Sequence, residues 1–124
     1  MKKKIVILFV DQNEQRYETL DDYGETDQEI WFKITRMADP RHTMAILIHA
    51  LWERFAAQQG GVSDEQITRW DLEHPELEEP GADPRAPYAA AHAQAEALER
   101  LAILAGGEDW SNYEQALEGM FKPH

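Results

Sequence analysis

The chain has 124 residues, which suits one domain with its own core, and no repeat or low-complexity tract divides it, so a single domain over residues 1–124 is expected. Its 24 acidic residues outnumber 12 basic ones, and the net charge of −12 repels phosphate backbones and anionic lipid; this argues against nucleic-acid and membrane partners and favours a cationic protein partner or a bound metal ion. Cysteine is absent, which removes disulfides, thiolate catalysis and cysteine-based zinc patterns, so any metal site must be built from His, Asp and Glu.

The chain opens with Lys2, Lys3 and Lys4, then a short apolar run from Ile5 to Val10, with Asp11 and Glu14 soon after. The run is too short to span a membrane and lacks a small-residue cleavage site, so it reads as a buried strand of a cytoplasmic protein. Tyr17–Leu20 forms a second short strand in this reading, with Tyr23-Gly24 closing it, and Ile30–Thr35 is rich in β-formers and makes a third. The segments between them are too short for a crossover helix, which predicts a small antiparallel sheet of about three strands.

Asp39-Pro40 then prepares a helix, with Asp39 as the cap and Pro40 in the first turn. From Thr43 to about Gln59, Met44, Leu47, Ile48, Leu51, Trp52 and Phe55 make one broad apolar stripe, of the kind that faces a core, until Gly60-Gly61 ends the helix. Ser63 followed by Gln66 three residues on matches a capping box for a short helix ending near Trp70-Asp71. His74 to Pro87 holds four prolines and reads as the longest loop. Pro87 starts an alanine-rich helix from Tyr88 to about Ala105, ended by Gly106-Gly107, and Asp109–Tyr113 leads into a last short helix through Leu117 and Met120. The expected fold class is α+β, the sheet packed against three to four helices.

Two pairs, His49/Glu53 and His92/Glu96, share a four-residue spacing on different helices. One helical turn apart, an imidazole and a carboxylate can grip the same cation. At ~100° per residue His49 and Glu53 lie about 40° apart, at the edge of the apolar stripe, where a core-held stem can present polar atoms to a cleft. His42 projects onto the same line from the helix start. His92 and Glu96 fall nearly opposite Leu98 and Leu101, which by periodicity alone places them in solvent, while Ile103 on the His92 side argues for a second contact surface. Asp71, at the end of a short helix, adds a third point from which a side chain can turn inward. The candidate ligand set is therefore His49, Glu53, His92 and Asp71. Its imidazole nitrogens and carboxylate oxygens suit zinc, with manganese and iron as alternatives. The plainer alternative is a half-buried His49 bonded to Glu53 or a carbonyl, and a simple helix-end Asp71.

Several stretches stand out together: Tyr17-Glu18-Thr19 with Asp22-Tyr23, Ile48-His49-Ala50-Leu51-Trp52-Glu53, Trp70-Asp71, Asp83-Pro84-Arg85-Ala86-Pro87-Tyr88 with His92 and Glu99, and Asp109-Trp110 with Tyr113. With them the chain resembles a family of small phage and prophage proteins akin to a minimal zinc peptidase. The resemblance covers nearly all of the chain and implies a minimal zincin-like fold. It assigns ligand roles to His49, Glu53 and His92, with Asp71 as a fourth ligand or a supporting group. The family motifs are His-Glu-x-x-Glu and Pro-Tyr-x-x-Glu-His, and this chain has Ala50 and Ala91 where the acidic residues beside the histidines stand. In zinc peptidases of the His-Glu-x-x-His kind the first glutamate takes a proton from metal-bound water, which alanine cannot do. No catalytic residue is assigned. The reading favoured is a metal-binding protein with a degenerate peptidase-like site; a noncatalytic accessory protein that docks through the Trp110/Tyr113 segment or the acidic loop from Glu73 to Asp83 is the first alternative, and an active metal-dependent amide hydrolase the second. The sequence leaves the oligomeric state open.

Overall fold

The computed structural model describes residues 2–121. Three strands, β1 (Lys4–Val10), β2 (Asp21–Glu25) and β3 (Glu29–Thr35), form one sheet in the order β1-β3-β2, with four helices, α1 (Pro40–Gln59), α2 (Asp64–Glu73), α3 (Ala89–Ala105) and α4 (Trp110–Phe121). The α+β class holds, but the sheet is mixed. β2 pairs antiparallel with β3 through a tight hairpin, whereas β1 runs parallel to β3. No crossover helix is needed, because the chain uses β2 itself as the return: residues 11–20 pass the end of β3 and deliver β2 to its far side. Gln15 secures that passage, its buried amide donating to the Lys33 carbonyl at 3.1 Å and to Thr35 Oγ1 at 3.2 Å.

The second strand is thus Asp21–Glu25, not Tyr17–Leu20. Asp, Gly and Glu are poor strand formers, so this stretch gives little local signal. Pairing with the central β3 overrides propensity, and the bidentate bond from Arg16 to Asp22, at 2.6 and 2.8 Å, neutralises a buried carboxylate. Gly24 belongs to this strand because the Trp31 ring lies across it: a Cβ there would fall 2.5 Å from the indole.

Helix boundaries follow the local chemistry. Asp39 caps α1 by accepting from the Arg41 amide at 2.9 Å, and Pro40 occupies the first turn. Ser63 and Gln66 exchange the two bonds of a capping box at α2. Gly61 and Gly107 follow α1 and α3 with φ of +80° and +84°, a conformation only glycine adopts freely. The region from His74 to Pro87 is a loop apart from one 3-10 turn, Pro80–Ala82.

Packing reverses one expectation. On α1 the residues turned inward are His42, Thr43, Ala45, Ile46, Leu47, His49, Ala50, Glu53, Arg54 and Ala57, while Met44, Trp52 and Phe55 of the apolar stripe remain 53, 38 and 54 % exposed. α3 repeats the pattern, with Ala91, Ala95, Glu99 and Ile103 inside and Leu98, Leu101 and Leu104 outside. The two helices lie antiparallel, and α1 packs over β2 and β3. Their small alanines let the backbones approach closely, and polar side chains occupy the space so enclosed. β1 is an edge strand, and Ile5, Ile7, Leu8 and Phe9 are substantially exposed, contrary to the buried strand expected from its composition. Among the described residues no helix is long and apolar enough to cross a membrane.

Candidate metal centre

His49 and Glu53 stand one turn apart on the inner face of α1, and α3 brings His92 to them from the opposite direction. The imidazole centroids of His49 and His92 are 4.8 Å apart, with the rings steeply tilted to one another. One carboxylate oxygen, Glu53 Oε2, lies 2.9 Å from His49 Nε2 and 2.8 Å from His92 Nδ1. These three residues each offer a ligand atom within 4.8 Å of the others'. Helical spacing revealed the first pair; only the packing of α1 on α3 joins His92 to it.

The outer atoms of this group are held in turn. Glu99 Oε1 sits 2.6 Å from His49 Nδ1, which leaves His49 Nε2 turned to Glu53. Tyr23 donates to Glu53 Oε1, and Tyr113 donates to the second oxygen of Glu99. Asp71 receives two phenols, Tyr17 at 2.9 Å and Tyr88 on its other oxygen. All four tyrosines of the chain therefore donate to carboxylates in or beside this cluster. Gly81 closes the group from the loop, where an added Cβ would come within 2.6 Å of both His92 Nδ1 and the Tyr88 ring.

The sequence-predicted residues fare differently. His49, Glu53 and His92 are brought together. Asp71 lies nearby with both oxygens engaged by tyrosines, outside the group of three. Glu96 makes no hydrogen bond with His92, which uses Glu53 instead, and the acidic residue that α3 turns inward is Glu99, seven positions beyond His92 and on the same helical face. Tyr23 and Trp31 share a sheet but not a role: Tyr23 serves Glu53, and Trp31 stacks over Gly24. Tyr113 is fully buried, so the Trp110/Tyr113 segment is no exposed docking surface; Trp110 is half-buried, with Arg100 over its ring at 4.5 Å. Asp21, at the start of β2, is outside the group of three and was not singled out by spacing. Burial and the neighbouring Glu53 push its carboxyl up to about 7.

Enclosure and proximity of charge set the other ionisations. Burial works to lower the His49 pKa, but hydrogen bonds to Glu53 and Glu99 outweigh it and hold the imidazole well above its ordinary value; His92 is raised in the same way by Glu53. Burial likewise opposes the charge on Glu53, yet its two histidine partners hold it down to about 2. Asp71 is pushed up to about 6 by burial, against the bonds from its two tyrosines. The cluster is thus a dense pairing of imidazoles and carboxylates in which protons occupy positions that a divalent cation can take.

A second cluster, Asp39, His42 and Glu108, also offers ligand atoms within 4.8 Å. There Arg41 reaches Asp39 Oδ2 at 2.7 Å and Glu108 Oε2 at 3.6 Å, so a guanidinium already supplies the positive charge. Among the described residues the centre at His49, Glu53 and His92 is therefore the better-built cation site. The molecule is a small α+β domain with two clusters of His, Asp and Glu capable of coordinating a metal ion. No protein-family model matches the chain, and comparison with curated proteins and with solved structures returns no match for either.

Proposed function

We propose that this protein binds one divalent transition metal, zinc foremost, through His49 Nε2, His92 Nδ1 and Glu53 Oε2. The observation that carries the reading is the convergence of both imidazoles on a single oxygen of Glu53, with the remaining atoms of two of the ligands held by Glu99 and Tyr23. Such outer partners fix ring orientation and raise ligand basicity in metal sites. Ligand bonds of ~2.0–2.1 Å in tetrahedral geometry set donor atoms roughly 3.3 Å apart. The two nitrogen-to-Glu53 Oε2 separations, 2.8 and 2.9 Å, open by about half an ångström in such a geometry, and all three donor atoms already lie within 4.8 Å of one another. Two imidazoles and one carboxylate are a donor set found in catalytic zinc sites, where a further position is left to water or substrate.

The resemblance to small phage zinc-peptidase-like proteins supports zinc as the metal and a degenerate peptidase-like ancestry for the site. Ala50 and Ala91, in place of the acidic residues, are 0 and 6 % exposed and belong to the apolar core. With no base at residue 50, hydrolysis is expected to be depressed by ~10²–10⁴-fold relative to an intact site, the usual worth of a positioned acid or base. Metal binding is therefore the function we assign, ahead of catalysis.

Elemental analysis of protein purified without added metal or chelator tests the assignment. About one divalent ion per chain is expected, with occupancy lost in both His49→Ala and His92→Ala. Binding that survives both substitutions, or absence of binding by the folded wild-type chain on titration with zinc, manganese and iron, overturns it. Amide hydrolysis that disappears with His49→Ala would promote the enzyme reading over metal binding alone.

A further inference from the structure

β1 presents three features at once, and a lone copy of this chain leaves the first two unused and the third only partly used. It is an edge strand of seven residues, without proline, glycine or an internal charge after Lys4, so nothing in it blocks pairing along its free side. Its core-side residues are also uncovered. In register, Ile5, Ile7 and Phe9 lie beside Ile30, Phe32 and Ile34 of β3 and share their face. Phe32 and Ile34 are 3 and 0 % exposed beneath the helical layer, yet Ile5, Ile7 and Phe9 are 62, 37 and 47 % exposed, because α1 packs over β2 and β3 and stops short of the edge. Finally, the strand is electrostatically asymmetric: Lys2, Lys3 and Lys4 lead into it, and Asp11 and Glu14 follow it; Lys3 pairs with Glu25 and Asp11 with Arg36 inside the chain, which leaves Lys2, Lys4 and Glu14 as the charges offered to a partner.

We propose that β1 is the seam of a homodimer, in which the β1 strands of two copies pair antiparallel about a two-fold axis near Ile7 to make one continuous six-stranded sheet. Antiparallel pairing is the orientation that sets the lysines of each copy beside the Asp11 and Glu14 of the other, whereas parallel pairing would put like charges together. In a chain of net charge −12, two copies repel in general, and this is the local run of positive charge that offsets the repulsion where they meet. A two-fold axis normal to the sheet keeps both helical layers on the same side. Ile5, Ile7 and Phe9 from the two copies then form a common apolar floor between those layers, which gives the uncovered half of each core a partner. A second copy answers all three features together, because the edge, the face and the charge order are self-complementary.

The test is sedimentation velocity of the full chain, run once with chelator and once with added zinc so that the seam and the metal centre are read separately. Wild type is expected at twice the 14.3 kDa of one chain in both conditions. Ile7→Lys and Phe9→Lys, at positions already part-exposed, are expected to give folded monomers with unchanged far-ultraviolet dichroism and unchanged metal binding. Because the chain has no cysteine, Ile7→Cys supplies a single thiol, and oxidation is expected to link two copies through it, while Leu104→Cys on the outer face of α3 stays unlinked. A wild-type monomer at millimolar concentration overturns the proposal. So does a dimer that survives both lysine substitutions, or one that dissociates instead with Leu101→Glu on the α1/α3 surface.

Discussion

Residue by residue, the centre depends on which atom holds which. Glu99 is the partner of His49 Nδ1, and it is Tyr113 that occupies the other carboxylate oxygen. Replacing it as Glu99→Gln preserves size and keeps an acceptor but removes the charge that orients the imidazole. Zinc affinity measured by competition with a chromophoric chelator is expected to fall ~10–100-fold at unchanged stoichiometry, the range typical of lost outer partners. Glu96→Gln, four residues from His92 but not bonded to it, is expected to leave affinity within experimental error. Equal losses in the two variants would mean that the carboxylate nearest in sequence, rather than the one turned inward by packing, governs the site.

This contrast marks where sequence reading stops. The i,i+4 spacing of His49 and Glu53 was legible because it lies within one helix, and the pair does meet, at 2.9 Å. The same spacing in His92 and Glu96 had no such outcome. α3 presents Glu99 to His49 across the helix interface, and that choice depends on the azimuth of α3, which no local pattern specifies. The tyrosines were harder still: Tyr17, Tyr23, Tyr88 and Tyr113 come from separate segments and are united only by the carboxylates they serve.

At the level of elements, caps and stops were legible and faces were not. Asp39-Pro40, the Ser63–Gln66 box and the two glycine pairs act within a few residues, so α1 and α3 end and α2 begins where local chemistry places them, while α2 runs on to Glu73, past the end expected near Trp70-Asp71. The direction of the apolar stripe failed in part on α1 because its inner face interleaves Ala45, Ala50 and Ala57 with satisfied polar groups beside Ile46 and Leu47, leaving Met44, Trp52 and Phe55 outside. Ala50 shows the consequence. Restoring the acidic residue of the resembling motif with Ala50→Glu would insert a carboxylate at a position that is 0 % exposed and surrounded by core residues. Urea unfolding is expected to report a loss of about 3 kcal/mol or more, the cost of an uncompensated buried charge, with no gain in hydrolysis. A variant as stable as wild type would show that the side chain finds the metal centre after all. β2 failed as a strand for a related reason: Asp22 is acceptable there only because Arg16 reaches it, and that pairing is a tertiary fact.

For the whole molecule, the clustering of carboxylates and imidazoles makes metal-free stability depend on pH with an unusual sign. Asp21 and Asp71, raised from an ordinary 3.8 to about 7 and about 6, favour the folded state at low pH and lose that contribution as pH climbs through those values. His49 acts in the same direction: its contribution is complete below an ordinary 6.5 and declines as pH rises through its elevated folded value. Glu53, lowered from 4.5 to about 2, works oppositely and loses its contribution only as pH falls from 4.5 toward 2. The chelated protein is therefore expected to melt highest in mild acid and progressively lower from about pH 4 through pH 7 and above, the carboxyls acting first and His49 last. Metal ligands must shed protons, so the increment in melting temperature given by zinc is expected to grow across the same range. Melting curves in chelator and in zinc over a pH series check both trends, and a zinc increment that is flat with pH would contradict protons and metal sharing the site.

The sequence by itself determined the α+β class, the placement of helix ends and the pairing of His49 with Glu53, since each is written within a span of a few residues and governed by backbone geometry. The tertiary structure alone decided the parallel placement of β1, the outward turn of the apolar stripes and the gathering of His92, Glu99 and the four tyrosines around a knot of buried carboxylates. Those outcomes turn on how elements distant in the chain approach one another. The inner faces of α1 and α3 settle that approach, because the buried alanines among them, Ala50, Ala91 and Ala95, leave room for both imidazoles to meet one oxygen of Glu53.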